Sequence, residues 1–203
     1  MKIKDITNIE YFTKGHRGIL YTGEYKKKKV VIKAKLPESK AIDRIENEGN
    51  WLKRLNKINI GPKLIKATKE YFFYEYVEGI FIIDYIKTLK KDDKETIIKI
   101  LKEVLRQCYE LDKLSVDKEE MHHPVKHILI DKKLNITMLD FERCHIVDYG
   151  KNVTQFVVFL MRLNELLSEY KINLDREKLI GLSKVYKRKQ TEENFNKILE
   201  YIQ

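Results

Sequence analysis

With 203 residues, 43% of them hydrophobic and 35% charged, the chain can build one large domain or two small lobes around a real core, and a disordered chain is excluded. The longest apolar run, Phe156 to Met161, is far too short for a membrane span, and Met1-Lys2-Ile3-Lys4-Asp5 lacks the apolar core of a signal peptide. The net charge of +10 reads either as lysine-rich solvated surface or as a draw for an anionic partner: nucleotide phosphates, RNA or an acidic protein. Cys108 and Cys144 have no metal-binding spacing and fit a reducing compartment. The expectation is a cytoplasmic, soluble protein with no membrane partner. A Lys/Glu/Ile-rich chain with three alanines also suits a thermophile.

Taken in order, residues 10–36 place Gly15, Gly18 and Gly23 among β-formers and predict two or three antiparallel strands. Gly15 and Gly18 fall in the first turn and Lys26 to Lys29 in the second. Val30-Val31-Ile32 then reads as a buried strand carrying Lys33. Glycine lets backbone amides approach phosphates closely, although hairpin turns use it routinely. Residues 40–56 are predicted helical, with Ile42, Ile45, Leu52 and Leu55 on one face and Glu48 beside it. An acid in that position is ordinarily solvated.

Gly61-Pro62 closes that segment, and Tyr71 to Val77 reads as an aromatic strand ending at Glu78-Gly79. Ile97 to Leu111 carries apolar residues at helical spacing, and Phe156 to Leu167 is apolar nearly all round, as in a buried helix. Leu179 to Tyr186 and Phe195 to Ile202 give two further amphipathic helices. The order is a β-rich first third with one helix, then a helical remainder with one hairpin in it. That is an α+β chain.

The hairpin lies in Met121 to Arg143, which holds three histidines and Lys126 before Ile128-Leu129-Ile130, a turn at Asp131 to Asn135, and Ile136 to Leu139. A hairpin there would draw the end of the histidine loop, His127, toward Asp140. A loop and an acid joined in this way suit metal-phosphate chemistry.

This order of residues resembles the protein-kinase fold. Thr13 to Leu20 matches the glycine-rich G-x-G-x-x-G-x-V with Thr13 in place of the first glycine, and Val30 to Lys33 matches V-A-I-K. Glu48 stands 15 positions after Lys33, as the helix αC glutamate does in kinases. Glu75 to Gly79 looks like the hinge between lobes, and Leu139-Asp140-Phe141-Glu142 looks like the metal-binding D-F-G with its glycine changed. The resemblance covers roughly residues 10–165. It implies a two-lobed α+β fold with a nucleotide-binding N-lobe at 1–79 and a reduced C-lobe at 80–203, whose catalytic-loop region is 119–143.

The resemblance also implies roles. Gly15 and Gly18 would cover the phosphates of ATP, and Lys33, fixed by Glu48, would hold the α- and β-phosphates. Leu20 and Val31 would roof the adenine, with backbone groups of Glu75 and Val77 at its edge. Asp140 would ligate Mg²⁺ or Mn²⁺.

The catalytic loop departs from the pattern. Counting back from Ile128, His127 stands at the asparagine position and His122 at that of the catalytic aspartate. An imidazole at 122 can take or orient a hydroxyl proton, whereas nitrogen at His127 is a poor Mg²⁺ ligand and favours a softer ion. Lys126 sits where some kinase loops carry a phosphate-facing cation. The alternatives are that His122 and His123 are packing or capping residues, or that Glu119 or Glu120 supplies the carboxylate. No A-P-E motif is present, and only 63 residues follow Asp140.

A short chain of this kind resembles the RIO and Bud32 group of atypical kinases, and D-F-E also looks like small-molecule kinases of the aminoglycoside and choline type. The whole pattern is similar to a predicted archaeal serine/threonine kinase group. It implies ATP-dependent transfer to a protein hydroxyl, or autophosphorylation. The alternatives are a pseudokinase acting as a nucleotide-binding regulatory partner and a basic module for RNA or ribonucleoprotein on the same scaffold.

Overall fold

The computed structural model describes residues 3–14, 18–35 and 44–203, so the expectations for Gly15 and Ile42 lie outside the described residues. The chain is a mixed α+β protein that divides into two compact units. One comprises Met1–Gly79 with Thr137–Arg143, and the other Ile80–Ile136 with Cys144–Gln203. Residues 137–143, expected in the lobe at 80–203, thus pack in the first unit. Among the described residues, no helix is long and apolar enough to cross a membrane.

The first unit begins with β1 (Ile6–Lys14), β2 (Gly18–Tyr25) and β3 (Lys28–Lys35), followed by α1 (Arg44–Leu55), β4 (Leu64–Ala67) and β5 (Tyr71–Glu75). The strands make one antiparallel sheet in the order β1-β2-β3-β5-β4. The second turn is tighter than the four lysines implied. Lys26 and Lys27 both have positive φ, 50° and 63°, as a two-residue primed turn requires, and Lys28 and Lys29 already belong to β3. Alternation then sorts β3 between two faces. Val30 and Ile32 join Ile3, Ile6 and Phe73 in an apolar cluster on one face, while Val31 and Lys33 point to the other.

The helix α1 packs on the sheet through Ile45, Trp51, Leu52 and Leu55. Glu46 in its first turn and Lys53 and Arg54 in its last complement the helix dipole. Gly49 sets how closely it approaches, because a Cβ there would stand 2.8 Å from the Cβ of Ala67 on β4.

The second unit contains β6 (Ile80–Phe81), α2 (Ile82–Thr88), α3 (Lys94–Lys113), β7 (Val116–Asp117), β8 (Ile128–Ile130), the start of β9 (Ile136–Met138), β10 (His145–Ile146), α4 (Asn152–Arg162), α5 (Asn164–Ser168), α6 (Arg176–Arg188) and α7 (Glu192–Tyr201). β6 pairs with β8 and β7 with β10. The apolar face of α3, from Ile97 to Leu111, is buried. The turn at Asp131 to Asn135 is closed by the Asp131 carboxylate, which accepts from the amides of Lys133 and Asn135 and from the Asn135 carboxamide, each at 2.8 Å.

The apolar run expected as one helix over 156–167 is two. At Leu163 the amide bonds back to the carbonyls of both Phe159 and Leu160, tightening the last turn of α4, and the next side chain, Asn164, accepts from the Leu174 amide. The sequence reading also missed α2, which buries Ile82 and Ile86, and the short strand β4.

A buried polar knot organises these helices. Asp112, near the end of α3, accepts from the Asn152 amide at 2.9 Å and its carboxamide at 2.7 Å, from the Val153 amide at 3.2 Å, and from the Tyr186 hydroxyl at 3.0 Å. Three chain segments thereby meet at one carboxylate, which also faces the positive N-terminus of α4. Gly150 passes so close that a Cβ would fall 2.3 Å from Asp112 Oδ1.

Candidate functional site

Lys33 lies on β3 with Leu20 opposite it on β2 and Phe72 opposite on β5; Val31 is opposite Thr22 and Tyr74. Directly paired residues in a sheet share a face. Leu20, Val31, Lys33 and Tyr74 are therefore on one face, the one that α1 covers. From α1, Glu48 reaches Lys33 with its Oε2 2.5 Å from the ammonium nitrogen. Its side chain is 5% exposed, so the ordinary solvated acid expected from helix position is in fact a buried one.

The segment after β9 completes the cluster. Asp140 Oδ1 is 3.6 Å and Glu142 Oε2 3.7 Å from Lys33 Nζ. The segment is held by α1 itself. The Phe141 amide donates to Glu48 Oε1 at 3.3 Å, and the Asn47 carboxamide donates to the Glu142 carbonyl at 3.0 Å. Phe141 is fully buried. Gly61 presses on its ring: φ there is +82°, and an added Cβ would lie 2.9 Å from Phe141 and 2.8 Å from Leu52. Asn56 fixes the same loop by donating to the Ile60 and Pro62 carbonyls and accepting from the Leu64 amide. Asp140 itself has φ +63°, a left-handed conformation that aspartate tolerates better than most residues.

The electrostatics follow from the crowding. Burial opposes the charge on Lys33, but the carboxylates of Glu48, Asp140 and Glu142 outweigh it and hold the ammonium well above its ordinary pKa. Burial pushes Glu48 up against the pull of Lys33, and the neighbouring Asp140 and Glu142 add to the push. Tyr74 is also pushed up, by burial first and then by Glu48. Oxygens of Glu48, Asp140 and Glu142 all lie within 4.8 Å of one another. Three carboxylates around one ammonium leave an excess of negative charge, and Asp140, 38% exposed against 13% for Glu142, is the more accessible of these two oxygen donors. An all-oxygen donor set fits a hard divalent ion such as Mg²⁺ or Mn²⁺.

No protein-family model matches the chain, and no curated protein is similar to it.

The remaining candidates are distributed as follows. Gly18 is the first residue of β2, registered opposite Lys35, with the Ala34 carbonyl 3.0 Å from where its Cβ would be. Glu75 ends β5; its carboxylate pairs with Lys28 at 3.2 Å and Lys63 at 3.6 Å, and its amide donates to the Lys63 carbonyl. The Lys28 bond, the largest contribution, lowers the Glu75 pKa. Val77 follows in a stretch without regular structure.

His122, Lys126 and His127 belong to the second unit. His122 is exposed, and its carbonyl accepts from Arg162 at 3.0 Å. Lys126 is exposed, and His127 Nε2 stands 4.0 Å from Glu120 Oε2. The carboxylate cluster thus comprises Glu48, Asp140 and Glu142. The loop that carries the histidines is itself bent, with positive φ at Glu119 and Glu120, and Asp117 accepting from the Glu119 amide at 2.9 Å.

Four residues of this site escaped sequence reasoning as contributors: Asn47, Gly49, Tyr74 and Glu142. Asn47 and Gly49 flank Glu48 on α1 and gave no signal, since neither contributes to an apolar period. Tyr74 carried a readable one, because alternation along β5 puts it on the Lys33 face.

Proposed function

We propose that the chain is an ATP-dependent phosphotransferase with a two-lobed, protein-kinase-like fold of the atypical serine/threonine type, transferring the γ-phosphate to a protein hydroxyl. The observation that carries this reading is the charged, nearly buried ammonium of Lys33, held at 2.5 Å by Glu48 with Asp140 at 3.6 Å. Phosphoryl transfer depends on positioning and charge neutralisation, and a fixed lysine beside an exposed oxygen donor supplies both. Lys33 would meet the α- and β-phosphates, while Leu20 and Val31 on the same face offer the adenine an apolar surface. Asp140, with Glu142, would hold Mg²⁺ or Mn²⁺, which supplies positive charge to the phosphates. The resemblance gives His122 the proton-accepting role and Lys126 a phosphate-facing one.

Isothermal titration of ATP, with and without Mg²⁺ or Mn²⁺, and transfer of labelled γ-phosphate test the reading together. Metal-dependent binding and transfer, both lost in Lys33→Ala, are the expected result. Unchanged transfer in that variant overturns it. A second reading, a nucleotide-binding regulatory module without transfer, is favoured by histidines at the positions where kinases carry aspartate and asparagine. Binding without transfer, unaffected by His122→Ala, would select it.

A further inference from the structure

The second unit contains a cavity of about 450 Å³ that the Lys33 cluster does not use. Its size falls within the range of small-molecule sites. One face of α4 and one face of α6 make its walls. Lys151, Thr154 and Val158 follow one another at steps of three and four residues at and along α4, as Ile180, Ser183 and Lys187 do on α6. His122 also lines it.

The chemistry of the lining is uneven. Lys151, Lys184 and Lys187 bring three ammonium groups to it, and among the described residues no carboxylate lines it. Lys151 has an acidic neighbour in Asp117 at 3.8 Å, whereas Lys184 and Lys187 have no ion pair among the described residues. Beneath them, Val157 is buried and Val158, Met161 and Ile180 are half-buried. An ordinary lysine-rich surface is convex and solvated. Here like charges surround an apolar concavity, an arrangement that an anion with an apolar body relieves on both counts.

We propose that this cavity binds a small phosphate monoester carrying a short aliphatic body. Lysine meets phosphate as a point charge without needing the planar fork of arginine. The Ser183 hydroxyl supplies a further donor, since Thr154 already donates to the Lys151 carbonyl. No Phe, Tyr or Trp ring lines the cavity among the described residues, which disfavours a stacked nucleobase. The inference stands on the second unit alone and does not require nucleotide binding at Lys33.

Hexyl phosphate titrated into the full chain, followed by amide shifts in a ¹H–¹⁵N spectrum, tests it, with inorganic phosphate and hexanol as comparisons. The expected result is saturable binding with shifts concentrated at 151–158 and 180–187, and an affinity about tenfold above that of inorganic phosphate. Lys184→Gln with Lys187→Gln should weaken it about tenfold, while Lys26→Gln with Lys27→Gln on the β2–β3 turn leaves it unchanged. Both pairs are exposed, and an unchanged thermal midpoint verifies folding. Amides around Lys33 must not shift in this titration, which separates the test from that of nucleotide binding. Equal affinity for inorganic phosphate, or no effect of the Lys184/Lys187 pair, overturns the proposal. So does a glutamate-rich peptide that saturates the same amides more tightly, which would make the cavity a protein-docking site.

Discussion

Replacing Lys33 with methionine removes the ammonium that Glu48, Asp140 and Glu142 share. At 4.8 Å or less, two carboxylates repel by about 3.5 kcal/mol at an effective dielectric of about 20. Asp140 is partly solvated and screened, so the Glu48–Glu142 pair keeps most of that repulsion. Glu48 also loses its buried partner, and breaking such a pair costs about 3–5 kcal/mol.

The variant can relieve this by taking up a proton. Its Glu48 then has a folded-state pKa above the unfolded one, so the folded state binds more protons, and stability falls as pH rises through the raised value. Urea unfolding from pH 5 to pH 9 measures this. Lys33→Met should lose about 3–5 kcal/mol at pH 8 and regain much of it at pH 5, and adding Glu48→Gln should restore part of the loss at pH 8. In the wild type the raised Lys33 pKa makes its contribution fully present below the ordinary value of 10.5 and lost only at still higher pH. A loss in Lys33→Met that is small and independent of pH would refute the coupling.

Three further predictions concern the framework. Gly150→Ala should cost about 2–3 kcal/mol in urea, because its Cβ would meet the Asp112 backbone at 2.6 Å; an unchanged midpoint would show that the 150 segment can move aside freely. Gly61→Ala combines a φ of +82° with a clash on the buried Phe141 ring and should cost about 2–4 kcal/mol. It should also weaken Mg²⁺-dependent ATP binding, and a calorimetric titration in which affinity is retained would separate Phe141 from the positioning of Asp140.

The third prediction is a pH dependence. Burial raises Asp112 from 3.8 to about 6 despite the bonds from Asn152, Val153 and Tyr186. The folded state therefore binds the extra proton, and this contribution is complete below pH 3.8 and lost as pH rises through about 6. At about 1.4 kcal/mol per pH unit between those values, it amounts to about 3 kcal/mol. Asp112→Asn should flatten that part of the stability profile; an identical slope in the variant would contradict it.

Much of the framework was readable because it repeats. Alternation in Val30 to Lys33 and the helical spacing of Ile97 to Leu111 are periodic signals, and both elements form. The pairing of Lys33 with Glu48 was reached through resemblance, since neither β3 nor α1 alone says which side chains meet. What stayed hidden depends on close approach between distant segments. Gly49 has no apolar period to betray it, yet its missing Cβ brings α1 down onto β4. Glu142 reads as a changed glycine, whereas the bond donated by Asn47 to the Glu142 carbonyl and the one that Glu48 accepts from the Phe141 amide hold the backbone that places its carboxylate near Lys33. The break at Leu163 escaped because composition makes Phe156 to Leu167 one apolar run, while the ending is set by Asn164 bonding the Leu174 amide.

The membership of Thr137–Arg143 in the first unit has a consequence for biosynthesis. A ribosome delivers Met1–Gly79 first, but Phe141, which packs against Gly61, and its amide, which satisfies Glu48, emerge only after all of Ile80–Ile136. Nascent Lys33 and Glu48 must wait without the segment that completes their surroundings. A fragment truncated at Gly79 is thus an unfinished unit, and the vectorial order of synthesis lets the first unit be completed only once Thr137–Arg143 has emerged.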